Sequence, residues 1–336
     1  MKTKKKKKDK TNPPINFKAR IEQLGAEFIG KESLRPKNAL NIMTGIMPLD
    51  LILTSDIGIR SGCIEIYGPE GVGKTSLVLS LVRSCKMASI PSMFLDAEFA
   101  LTDELCEIFG VVPNEDFLLK QPDDAEDALD SAELFLRSSP KSVVIIDSIA
   151  MLLAQSEWEE KIGTKSYNPV SLMLSKFAKK APKLCKNNDS IVIYLNQIRD
   201  NLSGYGSPIR VPGPRAIKFC TKIRVEMKRI AQLKESGDEG EVVGHKVEFK
   251  TIKNKFARPY QKAQSNLIYG KGFHQGYDLY ELTQALSLTD LISVNGSWYT
   301  FFNDQKFQGQ AKAAEYIINN PEVQKHITDK IIEVLK

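Results

Sequence analysis

The run Cys63-Ile64-Glu65-Ile66-Tyr67-Gly68-Pro69-Glu70-Gly71-Val72-Gly73-Lys74-Thr75-Ser76 decides how the rest of the chain is read. Residues Cys63–Gly68 read as a strand. Gly68 to Thr75 match G-x-x-x-x-G-K-[ST] in full, and a helical pattern opens directly after. Glycines let a backbone wrap closely around phosphates, while exposed N–H groups and a helix N-terminus favour their negative charge. Lys74 is placed to reach β- and γ-phosphates and Thr75 to hold Mg²⁺. The candidate ATP-binding segment is therefore Gly68, Pro69, Glu70, Gly71, Val72, Gly73, Lys74, Thr75 and Ser76. A chance match would lack the strand before it and the helix after it.

Outward from this run, apolar strands alternate with helices. Ser92–Glu98, Phe117–Gln121, Ser142–Ser148 and Ser190–Ile198 read as strands, and Ala125–Arg137 and Ser171–Cys185 as helices. The alternation predicts an α/β fold with a mostly parallel sheet. The unbroken run Val143-Val144-Ile145-Ile146 suits a strand buried on both faces. Cys220–Ile230, Val242–Lys253 and Gln264–Ile268 read as successive strands joined by turns, and 275–336 as a small α/β domain.

Asp147 ends the strand Val143–Ile146, where ligands bind in such sheets, and is the candidate water-bridged Mg²⁺ partner. A strand-ending Asp elsewhere is commonly a helix cap; beside this phosphate loop the metal role is favoured. Glu98 closes its strand and is a candidate general base. Asp96 points the same way along the strand, so pattern alone leaves both open. Asn196-Gln197 ends another buried strand, where an amide can sense a γ-phosphate or simply begin a polar loop. These residues define a Mg²⁺-dependent P-loop ATPase and no more.

The chain has 336 residues with 42% hydrophobic content, enough for a large core domain plus a smaller one. No apolar run approaches the roughly 20 residues needed to cross a bilayer, and no apolar stretch follows the N-terminal lysines as in a secretory signal. The five cysteines, 63, 85, 106, 185 and 220, form no C-x-x-C pair, which argues against zinc or disulfides and fits a reducing cytosol. Residues 1–10 carry seven lysines and one aspartate, so the whole net charge of +6 lies in that tail. Residues 1–14 read as a disordered tail, a solubilising segment or a weak phosphate-backbone contact. Phe17, Ile21, Leu24 and Phe28 recur at helical spacing and predict a short amphipathic helix.

Taken together, several segments resemble the bacterial RecA recombinase family from about Met43 to the C-terminus. They are Tyr67–Thr75, Phe94–Glu98, Gln121–Asp123, Val144–Ser148, Leu195–Arg199, Lys253–Lys255 and Gly296–Tyr299. The resemblance implies a RecA-like P-loop ATPase core at 43–272, an N-terminal polymerisation segment at 15–42 and a C-terminal domain at 273–336. It implies that Glu98 activates water and that Gln197 relays the γ-phosphate to a DNA loop beginning at Arg199. It also implies that Lys253 and Lys255 reach a neighbouring subunit's ATP as in-trans cations. Read alone, those two lysines are a solvated strand end. The implied cofactors are ATP and Mg²⁺. The implied partners are single-stranded DNA, homologous double-stranded DNA and further copies of the chain in a helical filament, with single-strand-binding and loader proteins as accessories. DNA repair, the SOS response and a bacterial cytoplasm follow from the same resemblance.

Residues 199–229 hold eight basic and two acidic side chains in a chain that beyond its tail is neutral overall. Arg199–Pro214 is rich in Gly, Pro and Ser and reads as a mobile loop able to close on a phosphate backbone. It matches the family's second DNA loop, about one residue shorter, which makes Arg199, Arg210, Arg215 and Lys218 candidate DNA contacts. Tyr205 and Ile209 are candidate wedges, and Phe219 a relay to the neighbouring subunit. Glu157–Val170 would be the first DNA loop, with Trp158 and Tyr167 able to stack on bases. Trp158 reads equally as a packing anchor. Lys176, Lys179, Lys180, Lys183 and Lys186 follow on the next helix, as a DNA channel or a solvated face.

The chain departs from the family at Thr102 and Leu105, where an aspartate and an adenine-stacking tyrosine are usual; Asp103 is a candidate substitute. Residues 301–336 hold five basic and five acidic side chains rather than the family's acidic tail, which predicts less restrained access to duplex DNA and a phage or mobile-element origin. Two other readings stand beside the recombinase, a hexameric helicase and an ATP-gated regulatory paralogue.

Overall fold

The computed structural model describes residues 39–161, 168–200, 209–234 and 240–335. The expected helix around Phe17–Phe28 and nearly all of the 15–42 segment lie outside these residues, as do Tyr167 and Tyr205. The described chain opens with β1 (Asn41–Ile42) and α1 (Met47–Leu53), and β2 (Ile59–Arg60) pairs antiparallel with β1.

The alternation expected from residue 62 onward is observed. It runs β3 (Gly62–Gly68), α2 (Lys74–Met87), β4 (Ser92–Asp96), α3 (Asp103–Phe109), β5 (Phe117–Lys120), α4 (Ala125–Ser138), β6 (Val143–Asp147), α5 (Gln155–Glu159), α6 (Pro169–Asn188) and β7 (Ile191–Gln197). Local chemistry sets several boundaries. Asp124 accepts from the Asp127 N–H at 2.7 Å to start α4, and Gly110, at φ 66°, ends α3. Asn168 caps α6 and Pro169 fills its first turn, where no N–H is needed.

After β7 come β8 (Arg199–Asp200) and β9 (Ile209–Arg210), a short antiparallel pair, then α7 (Arg215–Cys220). The long hairpin β10 (Ile223–Lys234) and β11 (Val242–Asn254) follows, with β12 (Lys262–Ile268) and β13 (Gly272–Phe273). The central sheet has nine strands in the order β13-β12-β11-β10-β3-β7-β6-β4-β5. From β10 to β5 every neighbouring pair is parallel, while β11 to β13 add an antiparallel extension. Val143 to Ile146 are fully buried, because helices cover both faces.

Three expectations are corrected. Cys220 does not open a strand; it ends α7, and β10 starts at Ile223. Within α7 only Ile217 is buried, which is the signature of a single helical face rather than of strand alternation. Glu98 does not close β4, because the Asp96 carboxylate accepts the N–H groups of Ala100 and Leu101 at 3.2 and 3.1 Å and turns the chain at Asp96. Part of the expected loop 157–170 is helical: Glu157 accepts from the Ala154 N–H at 3.2 Å and caps α5.

The chain ends with α8 (Gln275–Ala285), the antiparallel sheet of β14 (Ile292–Asn295), β15 (Trp298–Phe301) and β16 (Lys306–Gln308), α9 (Gln310–Asn319) and α10 (Pro321–Leu335). Leu279, Ile292, Phe301, Ile317, Ile327 and Ile331 form a core of their own, joined by Met47 of α1. A Cβ at Gly276 would stand 2.1 Å from the Ala314 carbonyl oxygen, so only glycine lets α8 approach α9 this closely. No described helix is long and apolar enough to cross a membrane.

Candidate nucleotide site and its link to the basic face

The phosphate loop leaves the buried end of β3 and enters α2 through Gly73, at φ 99°. A Cβ there would meet the Leu267 side chain at 2.7 Å, so conformation and space both require glycine. Glu70 is exposed at the loop's tip, while Val72 is fully buried beneath it. Lys74 is nearly buried and donates to the Gly68 and Pro69 carbonyls at 3.3 and 2.9 Å. These carbonyls hold the ammonium at the place where phosphate oxygens would outcompete them. Burial pulls the Lys74 pKa down, against the charges of Asp147 and Glu98. Ser76 lies in the first turn of α2 and accepts from Ser80 through its backbone carbonyl.

The Thr75 hydroxyl donates to Asp147 at 2.9 Å. Burial pushes the Asp147 carboxyl up to about 7, while the Thr75 bond and Lys74 oppose the shift and Glu98 and Asp96 add to it. A hydroxyl and a buried carboxylate facing one another beside a phosphate loop fit Mg²⁺, which takes few protein oxygens and completes its shell from phosphate and water. Among the described residues no group of three or more His, Cys, Asp or Glu side chains could hold a metal by itself.

Geometry separates the two acids of the 96–98 turn. Asp96 is buried and engaged by two backbone N–H groups and by Gln121 at 3.2 Å. Glu98 is half-buried and accepts from the Gln197 side chain at 2.7 Å. The register places Gln197 opposite Gly68, the first residue of the phosphate loop, which brings an amide 99 residues away in sequence to Glu98.

Behind this bridge lies a network that sequence reading did not find. Asn196, fully buried, donates to Glu65 at 3.0 Å and to the Pro212 carbonyl at 2.9 Å. Glu65 in turn accepts from Arg224 at 2.5 Å, and Arg224 lies over the Tyr67 ring at 5.0 Å. The only sequence signal was a glutamate inside an apolar strand, since a buried charge requires a partner.

The hairpin β10–β11 braces the loop from outside. Arg229 donates to the Gly71 carbonyl at 3.0 Å. His245 is fully buried, with Nε2 3.4 Å from the Val72 carbonyl and Nδ1 3.2 Å from the Tyr269 hydroxyl. A carbonyl only accepts, so Nε2 carries the proton and Nδ1 accepts from Tyr269. Burial lowers the His245 pKa and keeps this neutral form.

The basic cluster at 199–229 is divided. Arg199 and Arg215 are exposed, and Lys218 is half-exposed at the end of α7 beside Phe219, which is 76% exposed. Arg224 is turned inward to Glu65, Arg229 is exposed but engaged by the Gly71 carbonyl, Lys222 donates to the Ser61 carbonyl at 3.0 Å, and Lys228 pairs with Glu226 at 3.2 Å. The summed charge of the segment therefore overstates its outward field. The Arg210 side chain lies outside the description. Lys253 donates to the Lys218 and Phe219 carbonyls at 2.7 and 3.3 Å and so ties β11 to the end of α7. Lys255 stands in the turn after β11. Trp158 is 76% exposed on α5, so it packs no core. Lys179 is exposed, while Lys180 pairs with Glu133 of α4 at 2.7 Å, as on a solvated face. Thr102 caps α3 by accepting from the Leu105 N–H at 3.2 Å, and Asp103 is exposed in the first turn.

A phosphate loop at the switch from strand to helix, a strand-end carboxylate and a carboxylate–amide bridge define a P-loop ATPase with a mostly parallel sheet. Residues 19–274 match the family description RecA N-terminal domain, and residues 283–336 match RecA C-terminal domain. The Protein RecA of Salinispora arenicola is 35% identical over 295 residues, covering 88% of this chain and 83% of the relative. The Protein RecA of Deinococcus radiodurans is 35% identical over 297 residues, covering 88% and 80%. That of Pseudomonas putida is 34% identical over 296 residues, covering 87% and 81%. The chain belongs to the RecA family, and with it to the ATP-dependent DNA recombinases.

Proposed function

We propose that this chain assembles on single-stranded DNA as a helical filament and exchanges that strand with a homologous duplex, using ATP at the site built on β3, β4, β6 and β7. The observation that carries the reading is the Glu98–Gln197 bridge, which joins the nucleotide site to the strand running into the Arg199 loop. In this scheme the phosphate-loop N–H groups and Lys74 hold the phosphates. Mg²⁺, when bound, supplies charge neutralisation, with Thr75 as ligand and Asp147 acting through water. Glu98 accepts the proton of the attacking water. A γ-phosphate competes with Glu98 for the Gln197 amide, and the movement of Gln197 passes through β8 toward the DNA. Arg199, Arg210, Arg215 and Lys218 hold phosphate backbone, with Tyr205, Trp158, Lys179 and Lys180 as further contacts. Phe219, Lys253 and Lys255 face the neighbouring subunit, the two lysines toward its ATP.

The same reading divides the chain at 43–272 and 273–336 and places it in a bacterial cytoplasm with single-strand-binding and loader proteins. The test follows ATP hydrolysis with and without single-stranded DNA, with strand exchange in the same tubes. Stimulated turnover with joint molecules is expected. Stimulated turnover without pairing would replace the recombinase by a translocase, and absence of stimulation would leave a regulatory ATPase.

A further inference from the structure

Asp96 is a buried acid to which the nucleotide chemistry gives no part. It ends β4, where the sheet register sets it opposite Asp147 of β6 and beside Gln121, the first residue beyond β5. Among the described residues three N–H groups donate to its carboxylate. Ala100 meets Oδ1 at 3.2 Å, while Leu101 at 3.1 Å and Gln121 at 3.2 Å share Oδ2. The two backbone bonds close a turn over Ala97, Glu98 and Phe99. Ahead of Glu98 that turn is tied to the next strand, because the Ala97 N–H donates to the Asp147 carbonyl at 2.7 Å. Behind Glu98, Phe99 stands at φ 55°, a left-handed conformation that residues with a side chain rarely adopt. Phe99 is also 65% exposed, so packing contributes little to holding it there.

We propose that Asp96 is a positioning residue for ATP hydrolysis: its carboxylate, steadied by Gln121, folds the turn that aims Glu98 at the attacking water. The proposal rests on the reading of Glu98 as the base. In that scheme the γ-phosphate draws the Gln197 amide away from Glu98, and the direction of Glu98 then falls to the turn. Ala97 fixes the chain on one side of the base, and Asp96 fixes it on the other through Ala100 and Leu101. A carboxylate suits this task because hydrogen bonds to a charged acceptor are shorter and stronger than those to a neutral one. Its two oxygens also serve three donors at once, which an amide cannot do.

The test measures DNA-stimulated ATP turnover in substituted full-length chains. In Asp96→Asn the remaining oxygen can keep the Ala100 N–H, but the new NH₂ group faces the Leu101 N–H and the Gln121 amide, donor against donor. The kcat is expected to fall about tenfold, as for a catalytic group displaced by a fraction of an ångström, with KM for ATP and the melting temperature little changed. Gln121→Ala lies at an exposed position and should lower kcat by a smaller factor in the same pattern. A double-mutant cycle with Glu98→Gln separates positioning from general support. With the base removed, Asp96→Asn should slow single-turnover hydrolysis no further. If it still costs about tenfold in that background, the positioning role is overturned and Glu98 remains the base. Unchanged kcat in both single variants overturns it too, as does a loss of ATP affinity and melting temperature in step with kcat. Full turnover by Glu98→Gln alone overturns the base reading, and the role of Asp96 with it.

Discussion

The nucleotide site and the basic face differ in how their polar side chains are held. In the first, Thr75, Asp147, Glu98 and Gln197 stand at or just beyond the ends of β3, β4, β6 and β7, and each meets a protein partner within 3 Å. In the second, Arg199, Arg215 and Phe219 project from short elements into solvent. A sheet register fixes side-chain positions before any ligand arrives, whereas a loop takes its final form from what it binds. Basic residues in the same short stretch therefore have opposite jobs: Arg215 faces outward, while Arg224, nine positions on, neutralises a buried glutamate.

The largest effect that sharpens this contrast is expected at Glu98. Glu98→Gln keeps the bridge partner but removes the proposed base, so ATP turnover should fall about 10²–10⁴-fold while ATP and DNA still bind and filaments persist. Steady-state hydrolysis and electron microscopy check this, and rapid filament disassembly with ATP would remove Glu98 from the role.

The second comparison sets Arg224→Ala against Arg215→Ala. Leaving Glu65 buried without its partner should cost about 3–5 kcal/mol of stability. Arg215→Ala should leave the melting temperature alone and weaken single-stranded DNA binding, with a shallower salt dependence. Denaturant unfolding and salt titrations separate the two, and equal stability losses would break the division of the cluster.

A smaller effect is expected at the outer brace. His245→Ala should raise the ATP concentration needed for half-maximal turnover by a few fold, about 1 kcal/mol for one lost hydrogen bond, with kcat little changed. His245→Gln carries a donor at a similar reach and should recover part of the loss. A fall in kcat alone would place His245 outside loop positioning.

The smallest is a pH effect far from either region. Asp50 of α1 is fully buried and accepts from the Thr44 N–H at 2.8 Å, yet burial outweighs that bond and pushes its carboxyl up to about 7. The folded chain holds this proton more tightly than the unfolded chain. Its contribution is complete below the ordinary aspartate value of 3.8 and is lost as pH rises through about 7. Asp50→Asn should flatten the stability curve across that window, as read by unfolding midpoints against pH.

The strands and helices of the core were legible because each has an unbroken apolar run or a helical period bounded by its own caps. Val143 to Asp147 is the clearest case, and the phosphate loop declared itself through glycines that the turn requires. What periodicity could not give was the helix Arg215–Cys220, too short for its period to stand out against strand alternation, and the turn at Asp96, which its side chain makes by accepting from the backbone of Ala100 and Leu101. The resemblance implied Glu98 rather than Asp96 as the base; in the structure Asp96 is engaged by the N–H groups of Ala100, Leu101 and Gln121, whereas Glu98 meets Gln197.

The sequence by itself determined the order of elements, the phosphate loop and the family, because these depend on neighbours along the chain. Only the tertiary structure decided that Gln197 faces Glu98, that Glu65 is neutralised by Arg224, that His245 supports Val72 and that Cys63 and Cys185 lie in one core cluster with Cys220 packed against it. Each joins residues far apart in sequence through strand register and helix packing. Burial then gives the contact its weight, because a charge, a ring nitrogen or a thiol removed from water takes its chemistry from whatever the fold sets beside it.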